Sequence, residues 1–279
     1  MNEIATQITF AMTSTKFLIV NADDFGLCAE ITTGIVKAHT DGIVTATSIV
    51  ANGEYLNEGI KLLNDNRLDA GIHLTFVGGE KPLTGRITGI TDDNGNFRKS
   101  YREILPNLIT GQFDRAALKK ELYAQFALLK DSGVQPSHID SHQHLHLMPS
   151  VRNMTIELAK HFGIKWVRLT TSGAEGLKNM ALNLLSGQMK LRLRKEKIGS
   201  ADSFIGFRQR GRIDERSLFL MMRRVKEGVT ELMVHPGYDA SEIYGWGYRW
   251  TDELAALTSP DIKKLLRDLE IRLTNFVSS

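Results

Sequence analysis

One cysteine, Cys28, stands in 279 residues. A lone thiol cannot form an internal disulfide framework, and this usage fits a reducing cytoplasm. Lys and Arg number 35 against 32 Asp and Glu. A surplus of three is too small to imply a nucleic-acid partner. No window approaches the roughly 20 apolar residues of a membrane helix, so no integral membrane segment is expected. Residues 1–15 hold no Lys or Arg and no sustained apolar core. They do not resemble a signal peptide and read as a flexible N-terminal extension. The chain also lacks internal repeats and low-complexity segments.

What is present suits a globular protein. Hydrophobic residues make up 42% and charged residues 24%, enough to bury a full core. Strand-like and helix-like patterns alternate. Strands are expected over residues 17–20, 45–50, 68–76, 165–169, 231–235 and 271–276, with another ending near Asp140. Helices are expected over 29–39, 54–63, 114–132, 150–162 and 259–269. The helix at 29–39 is closed by Asp41-Gly42, and the last helix is opened by Ser259-Pro260. Between residues 78 and 107 the pattern breaks into a long insertion, with a tight turn at Asp93-Asn94-Gly95; such an insertion suits a lid. Repeated βα alternation argues for a parallel sheet or barrel in one domain over residues 16–279.

Two acids, Asp23 and Asp24, follow the first apolar run directly. Burying an unpaired carboxylate costs several kcal/mol, so a pair at a strand end points to a metal or a catalytic base. Downstream, Ser137-His138-Ile139-Asp140-Ser141-His142-Gln143-His144-Leu145-His146 holds four of the eight histidines. In extended backbone residues 138, 140, 142, 144 and 146 would share one side. Imidazoles beside a carboxylate suit a first-row divalent metal. A third fragment, Gly71-Ile72-His73-Leu74-Thr75-Phe76, puts a histidine inside an apolar strand. All three clusters fall at predicted strand C-terminal ends, which in a β/α barrel converge on one mouth. One carboxylate and two imidazoles would leave positions open for water and substrate, freeing the other aspartate as a base.

The motifs NADDFG, GIHLT, HIDSHQHLHLMP and VHPG, in this order, resemble the YdjC-type carbohydrate deacetylases, which include chitooligosaccharide deacetylases and a hopanoid-associated branch. The resemblance runs from about Lys16 to the C-terminus and is weakest over residues 171–212. It implies an irregular, TIM-like (β/α) barrel with its active site at the C-terminal strand ends. It implies metal-dependent removal of acetyl groups from N-acetylated sugars, with Asp24, His73 and His142 as metal ligands and Asp23 as general base. Cys28 replaces the serine common at this helix-start position, a departure that affects local stability at most.

Other residues carry expectations of their own. His235, in Val234-His235-Pro236-Gly237, is the candidate acid for the leaving amine, against a plain turn-capping role. Arg168 is expected to orient Asp23, bind substrate or make a surface ion pair. Asp140 either holds a ligating imidazole or ends its strand. His144 and His146 are placed at the substrate, around His142 or against backbone, and His138 is structural. The aromatic segment 238–250 is either a saccharide subsite or packing, and the basic stretch 190–197, with Arg208, Arg210 and Arg212, is a solvated face or, if the substrate is lipid-linked, a contact to an anionic membrane. The expected function is therefore a cytoplasmic hydrolase with one divalent ion per chain, Zn²⁺ or Mg²⁺, acting on an acetylated amino sugar or oligosaccharide. A homodimer is compatible with the chain. The rivals are another barrel metallohydrolase such as a phosphoesterase, and a non-catalytic sugar-binding protein with a structural metal.

Overall fold

The structure, a computed structural model, describes residues 15–173 and 176–278. Of the N-terminal extension only Thr15 falls among them, its carbonyl accepting from the Gly228 N–H at 3.1 Å; the rest of that expectation lies outside the described residues.

Strand β1 (Lys16–Phe25) is the axis of the fold. It pairs in parallel with β7 (Gly228–Val234) from Lys16↔Gly228 to Ala22↔Val234. On its other side it pairs with β2 (Ala46–Ile49). Beyond these come β3 (Asp69–Leu74), β4 (His138–Ser141) and β5 (Trp166–Val167), with β6 (Ser203–Ile205) outside β7. The order is β5-β4-β3-β2-β1-β7-β6, all parallel, with β8 (Ile271–Leu273) paired to the start of β1. A parallel bridge from Trp166 to Gly199 ties β5 to the chain entering β6. The strands therefore curl into an incomplete TIM-like barrel, as expected.

Side chains alternate between two environments. Leu18, Val20 and Ala22 face outward into the main apolar cluster beneath the helices. Ile19 faces inward and joins Ala46, Phe276, Trp166 and Val229 in a small apolar plug inside the barrel. Above that plug the inward positions turn polar: Asn21, Asp23, Ser48, His73, His138, Asp140 and Glu231 are all buried. Gly71 leaves room for one of them, because a Cβ there would lie 2.5 Å from the His138 ring.

Helices α1 (Ala29–Thr40), α2 (Leu56–Asn66), α4 (Arg115–Asp131), α5 (Pro149–Phe162) and α9 (Pro260–Asp268) match the apolar periodicity closely. Ser259 caps α9, its side chain accepting from the Asp261 N–H, with Pro260 in the first turn. Four helices were not legible: α3 (Tyr101–Thr110), α6 (Leu177–Lys195), α7 (Glu215–Met222) and α8 (Trp250–Thr258). The 78–107 insertion thus ends in α3, preceded by an antiparallel bridge between Thr91 and Phe97. Strands β5 and β8 are shorter than the apolar runs suggest. Among the described residues no helix is long and apolar enough to cross a membrane.

Cys28 stands at the N-cap of α1 without a side-chain capping bond. Burial pushes its thiol up to about 11, so it is not a nucleophile at neutral pH. Cys28→Ser should restore a cap and raise stability by about 0.5–1 kcal/mol, read as a higher denaturation midpoint with unchanged activity.

Candidate active site

Asp24 lies inside β1, one residue before its end, whereas the apolar run alone suggests a loop. Between Ala22 and Phe25 the pairing with β2 shifts register. Within that irregularity Asp24 adopts φ 73°, a left-handed conformation that costs a non-glycine residue on the order of 1 kcal/mol. The strained backbone aims its carboxylate at two histidines. Asp24 Oδ1 is 3.5 Å from His73 Nε2 and 3.2 Å from His142 Nδ1. His73 belongs to β3, next to β4, with His73 opposite Asp140 in the register.

His142 arrives by a route the alternation rule does not give. β4 stops at Ser141, and residues 142–147 form a tight 3-10 turn in which Gln143 and His144 have φ 53° and 59°. His138 and Asp140 do share the inner face, but the three later histidines diverge. His142 meets Asp24. His144 Nδ1 is 3.1 Å from Thr170 Oγ1, and its ring packs on Phe207. His146 is fully buried, with Nδ1 at 2.8 Å from Ser141 Oγ and Nε2 at 3.0 Å from the Arg168 carbonyl. It braces β4 against the end of β5. His138 contacts Ser48 and Ser137 and stacks on Phe276, a packing position.

One ligand atom from each of Asp24, His73 and His142 lies within 4.8 Å of the others. Two imidazoles and a carboxylate are a donor set that a divalent ion such as Zn²⁺ accepts, and the surroundings fit that use. His73 Nδ1 is 2.7 Å from Asp140 Oδ1. A proton held between them leaves Nε2 turned toward Asp24, the carboxylate–histidine arrangement of metal sites. Burial opposes a charge on His73, but Asp140, Asp23 and Asp24 outweigh it and raise the imidazole to about 9. Burial likewise works against the Asp24 carboxylate, while His142, His73 and His235 hold it at about 2.

Asp23 faces a different partner. Arg168, just past β5, reaches across the barrel and is 1% exposed. Its Nη1 and Nη2 donate to Asp23 Oδ2 and Oδ1, both at 2.7 Å. Nη1 is also 2.7 Å from Asp140 Oδ2, and Nε donates to Glu231 Oε1 at 2.6 Å. Asn21 adds a bond to Asp23 Oδ1 at 2.9 Å. One guanidinium therefore bonds three buried carboxyl groups, of which Glu231 is pushed up to about 7 by burial against the pull of Arg168. Asp23, His73 and Asp140 also come close enough for a metal. Arg168 already supplies the positive charge between the two acids, so the Asp24 group is the better cation site.

His235 follows β7 directly. Its N–H donates to Glu253 Oε2 at 2.6 Å, and its ring lies 5.0 Å from that of Tyr248. Its Nδ1 is buried with no hydrogen-bond partner. Burial lowers the imidazole, while Asp24 and Asp23 pull it upward, which places the ring in the field of both acids. Helix α1 sets the turn beneath it: a Cβ on Gly34 would come within 2.4 Å of Gly237 Cα.

The 238–250 segment also comes to the site. The Trp246 ring lies 5.3 Å from His142 and 4.5 Å from Tyr244. The insertion reaches the same rim, its Tyr101 N–H donating to Gln143 Oε1 at 2.7 Å. The sequence reading missed Glu231, Glu253, Ser48 and Asn21. Glu231 had a usable signal, since an acid in an apolar strand at even spacing from His235 shares its face. Glu253 had none, because its partner lies 18 residues away across a loop.

Residues 17–268 match the model of the YdjC-like protein family. The chain is 30% identical to a carbohydrate deacetylase of Clostridium beijerinckii over 93% of this chain and 98% of that one. It is 29% identical to a chitooligosaccharide deacetylase of Yersinia pestis over 94% and 98%. A solved structure from Enterococcus faecalis, of a proposed cellobiose-phosphate cleavage protein, aligns with a TM-score of 0.78 at 24% identity, over 95% of this chain and 100% of that one.

Proposed function

The chain belongs to the YdjC-like family, and on that premise we propose that it is a metal-dependent hydrolase removing the N-acetyl group from an acetylated amino sugar, a chitooligosaccharide or a related glycan. The observation that carries this reading is the Asp24–His73–His142 donor set beside a separate, clamped carboxylate, Asp23. A sugar-binding protein with a structural metal gains nothing from that second acid. A two-metal phosphoesterase would need further carboxylates, and Arg168 occupies the space between Asp23 and Asp140.

Asp24, His73 and His142 would hold the ion, which supplies Lewis-acid polarisation of the acetyl carbonyl and acidifies water. Asp23 receives the proton of the attacking water. A carboxylate offers about four lone-pair sites. Oδ1 is engaged by Asn21 and Arg168, and Oδ2 by Arg168 alone. Oδ2 is therefore the oxygen left with room for a proton. Arg168 fixes its direction through the two parallel bonds. His235 delivers a proton to the departing amine. Trp246, partly exposed beside His142, offers a flat face on which the C–H side of a sugar ring can stack.

Acetate release from N-acetylglucosamine and its oligomers by the purified protein tests the reading. Phosphate release from sugar phosphates with no acetate release would select the phosphoesterase instead.

His235→Ala separates the acid from a turn cap. Turnover of an amide substrate should fall at least tenfold more than that of an aryl ester, whose leaving group departs unprotonated. A general acid works only while protonated. Since burial lowers His235, amide turnover in the wild type should decline as pH rises through a value below the ordinary imidazole range. The aryl ester should show no such decline.

A further inference from the structure

Helix α6 carries an apolar face that none of the described residues covers. Its inner side is fixed to the barrel: Ser186, Met189 and Leu193 are buried, and the Asn183 side chain accepts from the Ser172 N–H. On the outside, Leu177 is 85% exposed, Met180 63%, Leu184 63% and Leu191 61%. At 3.6 residues per turn these four fall within an arc of roughly 60° and extend over about 21 Å of helix. Isolated exposed leucines are ordinary on a protein surface; four large apolar side chains on one helix face, broken only by Gly187 and Gln188, are not.

The charges beside the row share one sign. Between Leu177 and Lys195 the helix has Lys178, Lys190, Arg192, Arg194 and Lys195 and not one Asp or Glu. Arg152 of α5 lies near enough to Arg192 for the two cations to disfavour each other. Each is partnered by a neutral amide, Arg152 by Gln188 and Arg192 by Asn153. Glu196, just past the helix, bonds Lys160 and lies in the field of Arg192, and among the described residues no ion pair is made by Lys178, Lys190, Arg194 or Lys195. A second copy of the same helix would bring cations against cations. An anionic lipid surface would take both features at once, with the apolar row entering the headgroup boundary and the cations meeting lipid phosphates.

We propose that the exposed face of α6 is a peripheral docking surface for an anionic membrane. Leu177, Met180, Leu184 and Leu191 insert, and Lys178, Arg192, Arg194 and Lys195 contact the headgroups. The loop after β5, which carries Arg168 and Thr170, is bonded to the same helix through Ser186 and Asn183. Docking would thus hold the rim of the barrel near the surface.

Co-sedimentation of the full-length protein with vesicles tests this. The wild type should pellet with phosphatidylglycerol-containing vesicles, stay in solution with phosphatidylcholine alone, and be released by high salt as screening removes the attraction. Leu184→Ser/Leu191→Ser should weaken binding tenfold or more, as loss of two buried leucines requires. Arg194→Gln/Lys195→Gln should weaken it and flatten its salt dependence. Both variants alter exposed positions and should keep the wild-type melting temperature and activity on a water-soluble acetylated sugar. The proposal is overturned if the wild type ignores anionic vesicles or if the leucine variant binds as well as the wild type. It is also overturned if light scattering shows a dimer that Leu184→Ser/Leu191→Ser dissociates, which would assign the face to self-association.

Discussion

Asp23→Asn should reduce turnover by about 10²–10⁴-fold while the protein still binds its metal. The structure refines what else to expect. In sequence terms asparagine is nearly isosteric and the fold should be indifferent. In the barrel, Asp23 accepts two parallel N–H bonds from Arg168, both at 2.7 Å. An amide has one oxygen, so one guanidinium N–H would face an NH₂ group. A buried donor without an acceptor costs about 1–3 kcal/mol. The variant should therefore be folded but measurably less stable. Arg168 retains Asp140 and Glu231, which limits the damage. Asp24→Asn should show the opposite pattern, with weakened metal binding as the primary defect. Metal analysis beside steady-state kinetics on both variants decides the assignment, and exchanged phenotypes would mean that the two acids have exchanged roles.

His73→Ala and His142→Ala should each remove most of the bound metal and, with it, activity. One ion per chain is expected in the wild type and a marked loss in either variant; full occupancy in both would refute the assignment. The His73 environment adds a pH dependence. In the ion-free protein its imidazole is raised to about 9, so at neutral pH it carries a proton that an incoming cation must displace. Apparent metal affinity should rise with pH up to about 9, by roughly tenfold per unit for one displaced proton. Asp24 contributes no further pH dependence in this window, because it is already ionised well below neutrality. Titration calorimetry in buffers of different ionisation enthalpy would count the released protons directly.

The rival sugar-binding reading makes contrary forecasts for both experiments. A structural metal would be lost in the histidine variants with a loss of fold, and Asp23→Asn would alter nothing measurable beyond stability. The catalytic reading separates the effects, because the ligand set and the proton acceptor rest on different partners. Asp24 is held by two histidines and a strained backbone, Asp23 by Arg168 and Asn21.

Much of this protein is legible in its sequence. Alternating apolar runs gave the parallel barrel, because a strand buried on both faces must be apolar along its length, as Leu18, Ile19 and Val20 are. Asp23, Asp24, His73 and His142 stood out because polar residues at the ends of such runs have no packing reason to be there. Tertiary structure decided what those residues touch. The bulge that turns Asp24 toward the histidines depends on pairing with β2, and the turn that separates His142 from His144 and His146 depends on two left-handed residues with no glycine to announce them. The Arg168 clamp joins residues 145 apart in sequence, and Glu253 reaches His235 across a loop. Local patterns record which side chains are buried, since burial follows periodicity. Which buried charges share a partner is set by the closing of the barrel, a long-range event that no window of neighbouring residues contains.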